Sequence, residues 1–165
     1  MATDETTKLR RHLMELLRGG HAHASFDSVV EGFPVNRAGD PPEGLPHSAW
    51  ELLEHMRIAQ NDILRFSTSG DYVPPKWPEG YWPASKAPGN HARWNASVQS
   101  FREDLAAFVG LVQDSKNDLY RAFPWGDGQT LLREALLIAD HNSYHLGQLL
   151  LVRRALGRLA EIEGL

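Results

Sequence analysis

The chain has 165 residues, a formal net charge of -4 and 42% hydrophobic residues, values ordinary for one globular domain with its own core. The negative charge disfavours a primary nucleic-acid surface. The sequence contains no cysteine, which excludes disulfides, thiolate metal ligands and a cysteine nucleophile. Because residues 1–5 lack a signal-peptide pattern and no apolar run reaches membrane length, we expect a cytoplasmic protein without a membrane contact.

The first predicted helix ends at Gly19-Gly20 and has four apolar positions at helical spacing, Leu9, Leu13, Leu16 and Leu17. His21 and His23 follow it, and their spacing of two residues suits a loop and not one face of a helix. His23 is a candidate pocket residue, with an ordinary loop histidine as the alternative. Ser25 is expected to cap a short helical turn.

The second predicted helix begins at Ser48 and runs to about Ser67. Ser48 and Glu51 match a capping box, in which each side chain accepts a hydrogen bond from the other residue's backbone N–H. His55 lies at the edge of the apolar stripe of this helix. Asp62 returns to the same side two turns later, where its carboxylate could orient the imidazole of His55. The alternative is an interhelical hydrogen bond or ion pair for both side chains.

Residues 68–89 leave the helical pattern and contain five prolines, two tryptophans and two tyrosines. Proline interrupts helices, and disordered segments are poor in aromatic residues. We therefore expect an ordered crossover. It either walls a pocket, with Trp77 and Trp82 excluding water, or caps the core.

The third predicted helix, about residues 90–116, has an uninterrupted apolar stripe, so we expect it to pack and not to bind a ligand. Thr130 is expected to cap a fourth helix that ends at Leu156-Gly157, because glycine commonly follows the last helical residue. Gly147 lies in the middle of this helix at a cost of about 1 kcal/mol relative to alanine. That cost predicts the close approach of a neighbouring element.

The fourth helix carries the pair His141 and His145. Residues four apart lie on one helical face, one turn apart, which lets two imidazoles bind one metal ion. A solvated or core pair is the alternative. The placement of the pair beside the apolar stripe favours metal binding, because ring nitrogens facing an interior need partners. Asn142 lies near the centre of the stripe and either supports the site or has a structural role.

Four amphipathic helices and one long crossover predict an all-α fold, a four-helix bundle of residues 1–165. In a bundle, His55 from the second helix could meet His141 and His145 from the fourth. Three histidines that leave the fourth position open are typical of a catalytic metal, whereas structural sites usually have four protein ligands.

The sequence resembles the DinB/YfiT superfamily over about residues 10–157. The resemblance is carried by the His-x3-His pair followed by Gly147-Gln148, and by a single histidine on the helix that begins after His47. It implies a DinB-like bundle in up-down-down-up order, with its long crossover at residues 68–89.

The resemblance also implies one divalent metal ion per chain, zinc or nickel, held by His55, His141 and His145. Characterised relatives are metal-dependent enzymes that use small thiols such as bacillithiol or mycothiol, among them thiol transferases and a maleylpyruvate isomerase. Leu146 departs from the family pattern, in which arginine often stands before the glycine. The missing charge could change which anionic thiol is accepted.

Two classes of function follow. In the first, the protein is a metal-dependent transferase in which the metal lowers the pKa of a substrate thiol, and Gln148 contacts the substrate. In the second, the protein is a non-catalytic, metal-stabilised dimeric bundle with a binding or stress-related role. A fourth protein ligand, such as His23 or Asp62, would favour that second class. A metal-hydroxide hydrolase is a further alternative.

The family resemblance implies a homodimer. Apolar residues beyond Leu149 also extend further around the fourth helix and its tail than one stripe requires, namely Leu150, Leu151, Leu159 and Ile162. These residues are one candidate contact between the two copies.

Overall fold

The computed structural model describes the backbone of residues 4–163 and the side chains of residues 4–157. The described chain forms five α-helices: α1 Asp4–Arg18, α2 Phe26–Val30, α3 Ala49–Thr68, α4 His91–Gln113 and α5 Leu131–Glu163. Two short 3-10 turns, Val35–Arg37 and Glu79–Tyr81, lie in the connections. No β-strand forms within the described residues, so the predicted all-α fold is confirmed.

Short polar side chains fix the helix starts, as the sequence predicts. At the start of α3, the Ser48 hydroxyl accepts a hydrogen bond from the Glu51 N–H at 3.2 Å, and the Glu51 carboxylate accepts one from the Ser48 N–H at 2.9 Å. Ser25 and Thr130 each accept a backbone N–H from the first turn of α2 and α5. Each such bond satisfies a donor that the helix itself leaves unpaired.

The predicted end of the last helix is wrong, because α5 continues through Gly157 to Glu163. A glycine ends a helix when it adopts a left-handed backbone conformation. Gly157 is not among the glycines with a positive φ angle. It therefore continues the helix in the same way as any other residue.

The end of α4 also differs from the prediction, at Gln113 instead of about Lys116. The Asp114 carboxylate accepts a hydrogen bond from the Lys116 N–H at 2.9 Å. This local bond offers the backbone an alternative to the next helical turn, which is a common behaviour of aspartate after a helix.

The long helices α1, α3, α4 and α5 form a bundle in which α1 and α3 each contact both α4 and α5. Arg10, in the middle of α1, donates a hydrogen bond to the Val112 carbonyl near the end of α4, whereas Phe26, after the end of α1, stacks on Phe101 earlier in α4, so these two helices are antiparallel. Asn61, late in α3, donates to Asp104 in the second half of α4, and Glu54 lies near Ser97, so α3 and α4 are parallel.

The direction of α5 follows from the two halves of the core. Its first residue, Leu131, packs in a cluster with Ile63 from the end of α3. Its later residue Leu149 packs in a second cluster with Leu52 from the start of α3. The helix α5 is therefore antiparallel to α3 and parallel to α1, which gives the up-down-down-up order.

The two core clusters lie at opposite ends of the bundle. The first is rich in aromatic residues, including Trp50, Trp94 and Phe101, each at most 2% exposed. Burial of such side chains stabilises the fold by about 1.5–3 kcal/mol each. On α5, Ala139 belongs to one cluster and Leu146 to the other. The histidine pair lies on α5 between these residues, at the junction of the clusters.

Among the described residues, no helix combines the length and apolar character needed to cross a membrane.

Candidate metal centre

Three histidines from two helices meet at the junction of the core clusters. His55 lies in the second turn of α3, and His141 and His145 lie one turn apart on α5. One ring nitrogen from each lies within 4.8 Å of the other two, and the Nε2 atoms of His55 and His141 are 3.1 Å apart. His55 and His145 are buried and His141 is half-buried. The structure thus brings together the three histidines that the sequence singles out.

Hydrogen bonds orient two of the three rings. Nδ1 of His55 lies 2.8 Å from the Tyr81 carbonyl oxygen, and Nδ1 of His145 lies 2.7 Å from Oε1 of Gln148. Because both oxygens can only accept, each Nδ1 carries the proton and each Nε2 keeps its lone pair. A ring fixed in this way by an acceptor on its far nitrogen is characteristic of metal-binding histidines.

The surroundings favour neutral imidazoles. Burial is the largest cause that lowers the pKa of all three histidines. The pKa of His141 falls to about 4, with His145 and His55 as further causes, since neighbouring imidazoles disfavour a second positive charge. At neutral pH the rings therefore present lone pairs and not protons, which is the form that binds a metal.

The donor set fits a divalent metal ion. Tetrahedral zinc with Zn–N bonds of about 2.0–2.1 Å holds its nitrogen ligands about 3.3 Å apart. The 3.1 Å between Nε2 of His55 and Nε2 of His141 is close to that distance, and all three donor atoms lie within 4.8 Å of one another. Within the described residues, the group with metal-binding geometry consists of these three histidines alone, so the protein offers no fourth ligand there. Neither His23 nor Asp62 belongs to the group.

The crossover between α3 and α4 covers one side of the centre. The Trp82 indole stacks on the His55 ring with centroids 4.1 Å apart and planes 5° apart. The same indole stacks on His47 at 4.3 Å. Of the two roles open for the crossover, the structure shows the wall beside the site. Trp77 does not share this role, because it is 71% exposed and contacts Tyr81. The expectation that Trp77 covers the site is wrong.

Asp62 does not contact His55, which corrects the prediction of a direct hydrogen bond. Its Oδ2 atom accepts a hydrogen bond from the Tyr81 hydroxyl at 2.8 Å. The physical reason is the position of the crossover, which places the Tyr81 carbonyl at the His55 ring and the Tyr81 side chain at Asp62. Asp62 therefore supports His55 only through Tyr81. Burial first, and then the Asp62 carboxylate, raise the pKa of Tyr81, so its hydroxyl keeps the donated proton.

Asn142 links three helices. Its amide nitrogen donates to Oε1 of Gln60 at 2.8 Å, and the Gln60 amide nitrogen donates to the Phe101 carbonyl at 2.7 Å. These bonds give Asn142 a structural role, and its side chain also acts on His141, where it opposes the lowering of the pKa by burial, so Asn142 supports the site as well. The two bonds fix the separation of α3, α4 and α5 at the level of the histidines.

His23 lies away from the centre. It is exposed in the loop after α1, and its Nδ1 atom lies 2.9 Å from the carbonyl of the next residue, Ala24. The ordinary loop histidine is the alternative that the structure supports.

Two features of the site were not found from the sequence. The first is the Tyr81 carbonyl, which gives no signal because every residue has a main-chain oxygen. The second is His47, half-buried against Trp82. A signal for it existed, because His47 directly precedes the Ser48 cap, and a residue beside a fixed helix start has a fixed position relative to His55.

A sequence model described as the DinB superfamily matches residues 20–149. The matched stretch contains all three histidines and the crossover. No curated protein and no solved structure matches the chain. Since the family model covers well over half of the sequence, the chain belongs to the DinB superfamily.

Proposed function

We propose that the protein binds one divalent metal ion per chain, zinc or nickel, through His55, His141 and His145, and uses it to activate a small thiol for transfer to an electrophile. The observation that carries this proposal is the convergence of three buried or half-buried ring nitrogens with no fourth protein ligand among the described residues. Such a donor set leaves a coordination position for a substrate. Both metals accept imidazole ligands.

A divalent metal with an open position lowers the pKa of a bound thiol, so that thiolate forms at neutral pH. The chain itself supplies the orientation of its ligands. The Tyr81 carbonyl and the Gln148 amide oxygen hold His55 and His145 in the tautomer that presents Nε2. Trp82 shields one side of the His55 ring. Because the sequence has no cysteine, the thiol arrives with the substrate.

Gln148 has two roles in this proposal. Its amide oxygen accepts a hydrogen bond from the Nδ1–H of His145, and its amide nitrogen remains a donor for a substrate. A side chain that both fixes a ligand and contacts the substrate would couple substrate position to metal geometry.

The decisive experiment offers a chromogenic electrophile with cysteine, glutathione, bacillithiol or mycothiol, each against a metal-stripped control. We expect a metal-dependent rate with at least one thiol, and its loss in His141→Ala. A metal-dependent rate without any thiol would favour the hydrolase. A full complement of metal without turnover would favour the non-catalytic bundle with a binding or stress-related role.

We also propose a homodimer in which α5 packs against its copy. Leu136, Tyr144 and Leu151 lie on one face of α5 and are 48%, 64% and 55% exposed. The close neighbour predicted at Gly147 is not present within the described chain, because nothing lies within 4 Å of the position where a Cβ would be. A second helix from the partner copy would fill that place.

The other predicted contact residues differ in what the structure says of them. Leu150 packs against the core, and only Leu151 of the adjacent pair is exposed. Leu159 and Ile162 lie outside the residues whose side chains are described. Light scattering at micromolar concentration should give about twice the chain mass of 18.5 kDa. A value equal to the chain mass would contradict the dimer.

A further inference from the structure

A chain of amide groups runs from the backbone of α4 through α3 to the residue beside His141. The Phe101 carbonyl oxygen accepts a hydrogen bond from the Gln60 amide nitrogen at 2.7 Å. Oε1 of Gln60 accepts a second one from the Asn142 amide nitrogen at 2.8 Å. Gln60 and Phe101 are each 1% exposed, so water does not compete for these bonds.

The direction of this amide chain is fixed at its α4 end. A main-chain carbonyl can only accept, so Gln60 must turn its amide nitrogen to Phe101 and its oxygen to Asn142. Asn142 must then turn its nitrogen to Gln60, which leaves its Oδ1 atom facing elsewhere. This Oδ1 atom is buried and has no hydrogen-bond partner. A buried acceptor without a partner is costly and requires an explanation.

The neighbouring ring of His141 provides one. His141 reaches across to His55 on α3, and Asn142, the next residue, reaches the same helix at Gln60. The Asn142 side chain acts on the His141 ring, where it raises the pKa against the effect of burial. An acceptor has this effect on an imidazole, whereas a donor has the opposite one. The free oxygen of Asn142 is therefore the atom that faces His141.

His141 is also the ligand whose far nitrogen has no hydrogen bond within the described chain. Nδ1 of His55 and Nδ1 of His145 each donate to an oxygen. The bond of His141 is instead at Nε2, which lies 3.1 Å from Nε2 of His55. Because Nε2 of His55 keeps its lone pair, the proton of this contact belongs to His141. Nδ1 of His141 then has no proton to donate, which explains the unpaired oxygen of Asn142.

We propose that Oδ1 of Asn142 accepts the Nδ1–H of His141 when a metal is bound, and that the amide chain from Phe101 holds this oxygen in place. Once Nε2 of His141 is a ligand, the one proton of the neutral ring has only Nδ1 left. All three ligands are then oriented by an oxygen at Nδ1. The inference rests on the metal site of the proposed function. It makes Asn142 and Gln60 positioning residues, and it gives α4 a part in the centre through a main-chain oxygen.

Two substitutions of Asn142 separate this role from a purely structural one. Asn142→Leu keeps a similar volume but removes both the acceptor for His141 and the donor to Gln60. Asn142→Asp loses the same donor but keeps an oxygen for His141. We expect Asn142→Leu to bind zinc about 10–100-fold more weakly than the wild type, and Asn142→Asp no more than about threefold more weakly. Competition with a chromophoric chelator measures the affinity.

The ring proton gives a second readout that does not depend on activity. In protein with ¹⁵N-labelled histidine, a hydrogen-bonded Nδ1–H exchanges slowly with water and gives an NMR signal. We expect zinc to produce this signal for His141 in the wild type and in Asn142→Asp, but not in Asn142→Leu. Ser143→Ala is the control, because it removes only a bond from the Ser143 hydroxyl to its own helix. It should keep both the signal and the zinc affinity.

Three results would overturn the inference and leave the metal site intact. The first is equal zinc affinity in Asn142→Leu and the wild type. The second is a loss in Asn142→Asp as large as in Asn142→Leu, which would reduce Asn142 to a structural role. The third needs no variant, and it is a zinc-loaded wild type without the Nδ1–H signal of His141. Failure of the wild type to bind zinc at all would instead refute the proposed function together with this inference.

Discussion

The two halves of the histidine centre are built in different ways. His141 and His145 share one helix, so helical geometry alone places their rings one turn apart. His55 reaches them from α3, and its ring is held by the Tyr81 carbonyl and covered by Trp82, both from the crossover. One half is therefore local and preorganised, whereas the other depends on how the crossover packs. We expect the metal affinity to respond to changes in both halves, but through different contacts.

The largest effect should come from removal of a ligand. Replacement of His141 or His55 by alanine leaves two nitrogen donors, and we expect the metal content to fall from about one ion per chain to below a tenth. Elemental analysis after gel filtration measures it. His23→Ala is the control and should keep its metal, since His23 is exposed and outside the group. Equal metal in His141→Ala and the wild type would contradict the site.

The next largest effect should come from the side chains that orient the ligand rings, one in each half of the centre. Gln148→Ala removes the acceptor of the His145 ring on the local side. Trp82→Ala removes the ring stacked on His55 on the crossover side. We expect each to weaken metal binding by about 10–100-fold, the usual cost of losing a group that orients a ligand. Competition with a chromophoric chelator measures the affinity.

Tyr81→Phe sharpens the same comparison. It keeps the main-chain carbonyl on His55 and removes only the hydroxyl bonded to Asp62. The metal affinity should fall less than in Trp82→Ala, and Asp62→Asn should behave similarly. A loss in Tyr81→Phe as large as in His55→Ala would show that the hydroxyl, and not the carbonyl, carries the support.

The metal-free protein should lose stability as the pH falls from about 6.5 to about 4. The pKa of His141 is about 4 when folded, against an ordinary value of 6.5, mainly because of burial. Within that window the unfolded chain binds the proton and the folded chain does not, so acid favours unfolding. Since His141 is only half-buried, we expect about 1–2 kcal/mol from this residue.

Chemical denaturation of the chelated protein at several pH values measures this slope. His141→Asn should show a shallower slope than the wild type. The remainder comes from His55 and His145, whose pKa values burial also lowers, and from Glu54, whose pKa is lowered because its hydrogen bond to Arg57 and other interactions together outweigh the effect of burial. Burial raises the pKa of Glu134, which acts in the opposite direction in both proteins and so cancels in the comparison. An identical slope in both would exclude His141 as the source.

The smallest effect concerns α5, the helix that forms the local half. Gly157 continues this helix without a positive φ angle, and nothing lies within 4 Å of its Cβ position. Gly157→Ala should therefore raise the free energy of unfolding by about 0.5–1 kcal/mol and leave the metal affinity unchanged. Denaturant titration measures the change. Destabilisation would indicate that the helix ends at Gly157, as the sequence predicts.

Much of the architecture is contained in short-range sequence features. The Ser48–Glu51 capping box and the Ser25 and Thr130 caps act within one helical turn, so they were readable without knowledge of the fold. The spacing of His141 and His145 is local for the same reason. The all-α bundle followed from apolar stripes that must be buried against each other.

The parts that needed the tertiary structure are contacts between segments distant in sequence. The partner of His55 is a main-chain oxygen of the crossover, and main-chain atoms carry no residue-specific signal. Asp62 lies on the predicted side of α3, but its carboxylate accepts a hydrogen bond from the Tyr81 hydroxyl and not from His55. Trp77 and Trp82 lie five residues apart, and each is followed by a proline, yet only Trp82 covers the site.

The sequence by itself determined which residues could bind a metal and on which helices they lie, because helix caps, periodicity and ring chemistry act over a few residues. Only the tertiary structure decided how the centre is supported and what lies beside it. The path of residues 69–90 over α3 places the Tyr81 carbonyl and the Trp82 ring at His55, and Trp82 also stacks on His47 from the loop before α3. That path depends on the packing of the whole crossover against the bundle, and no local rule specifies it.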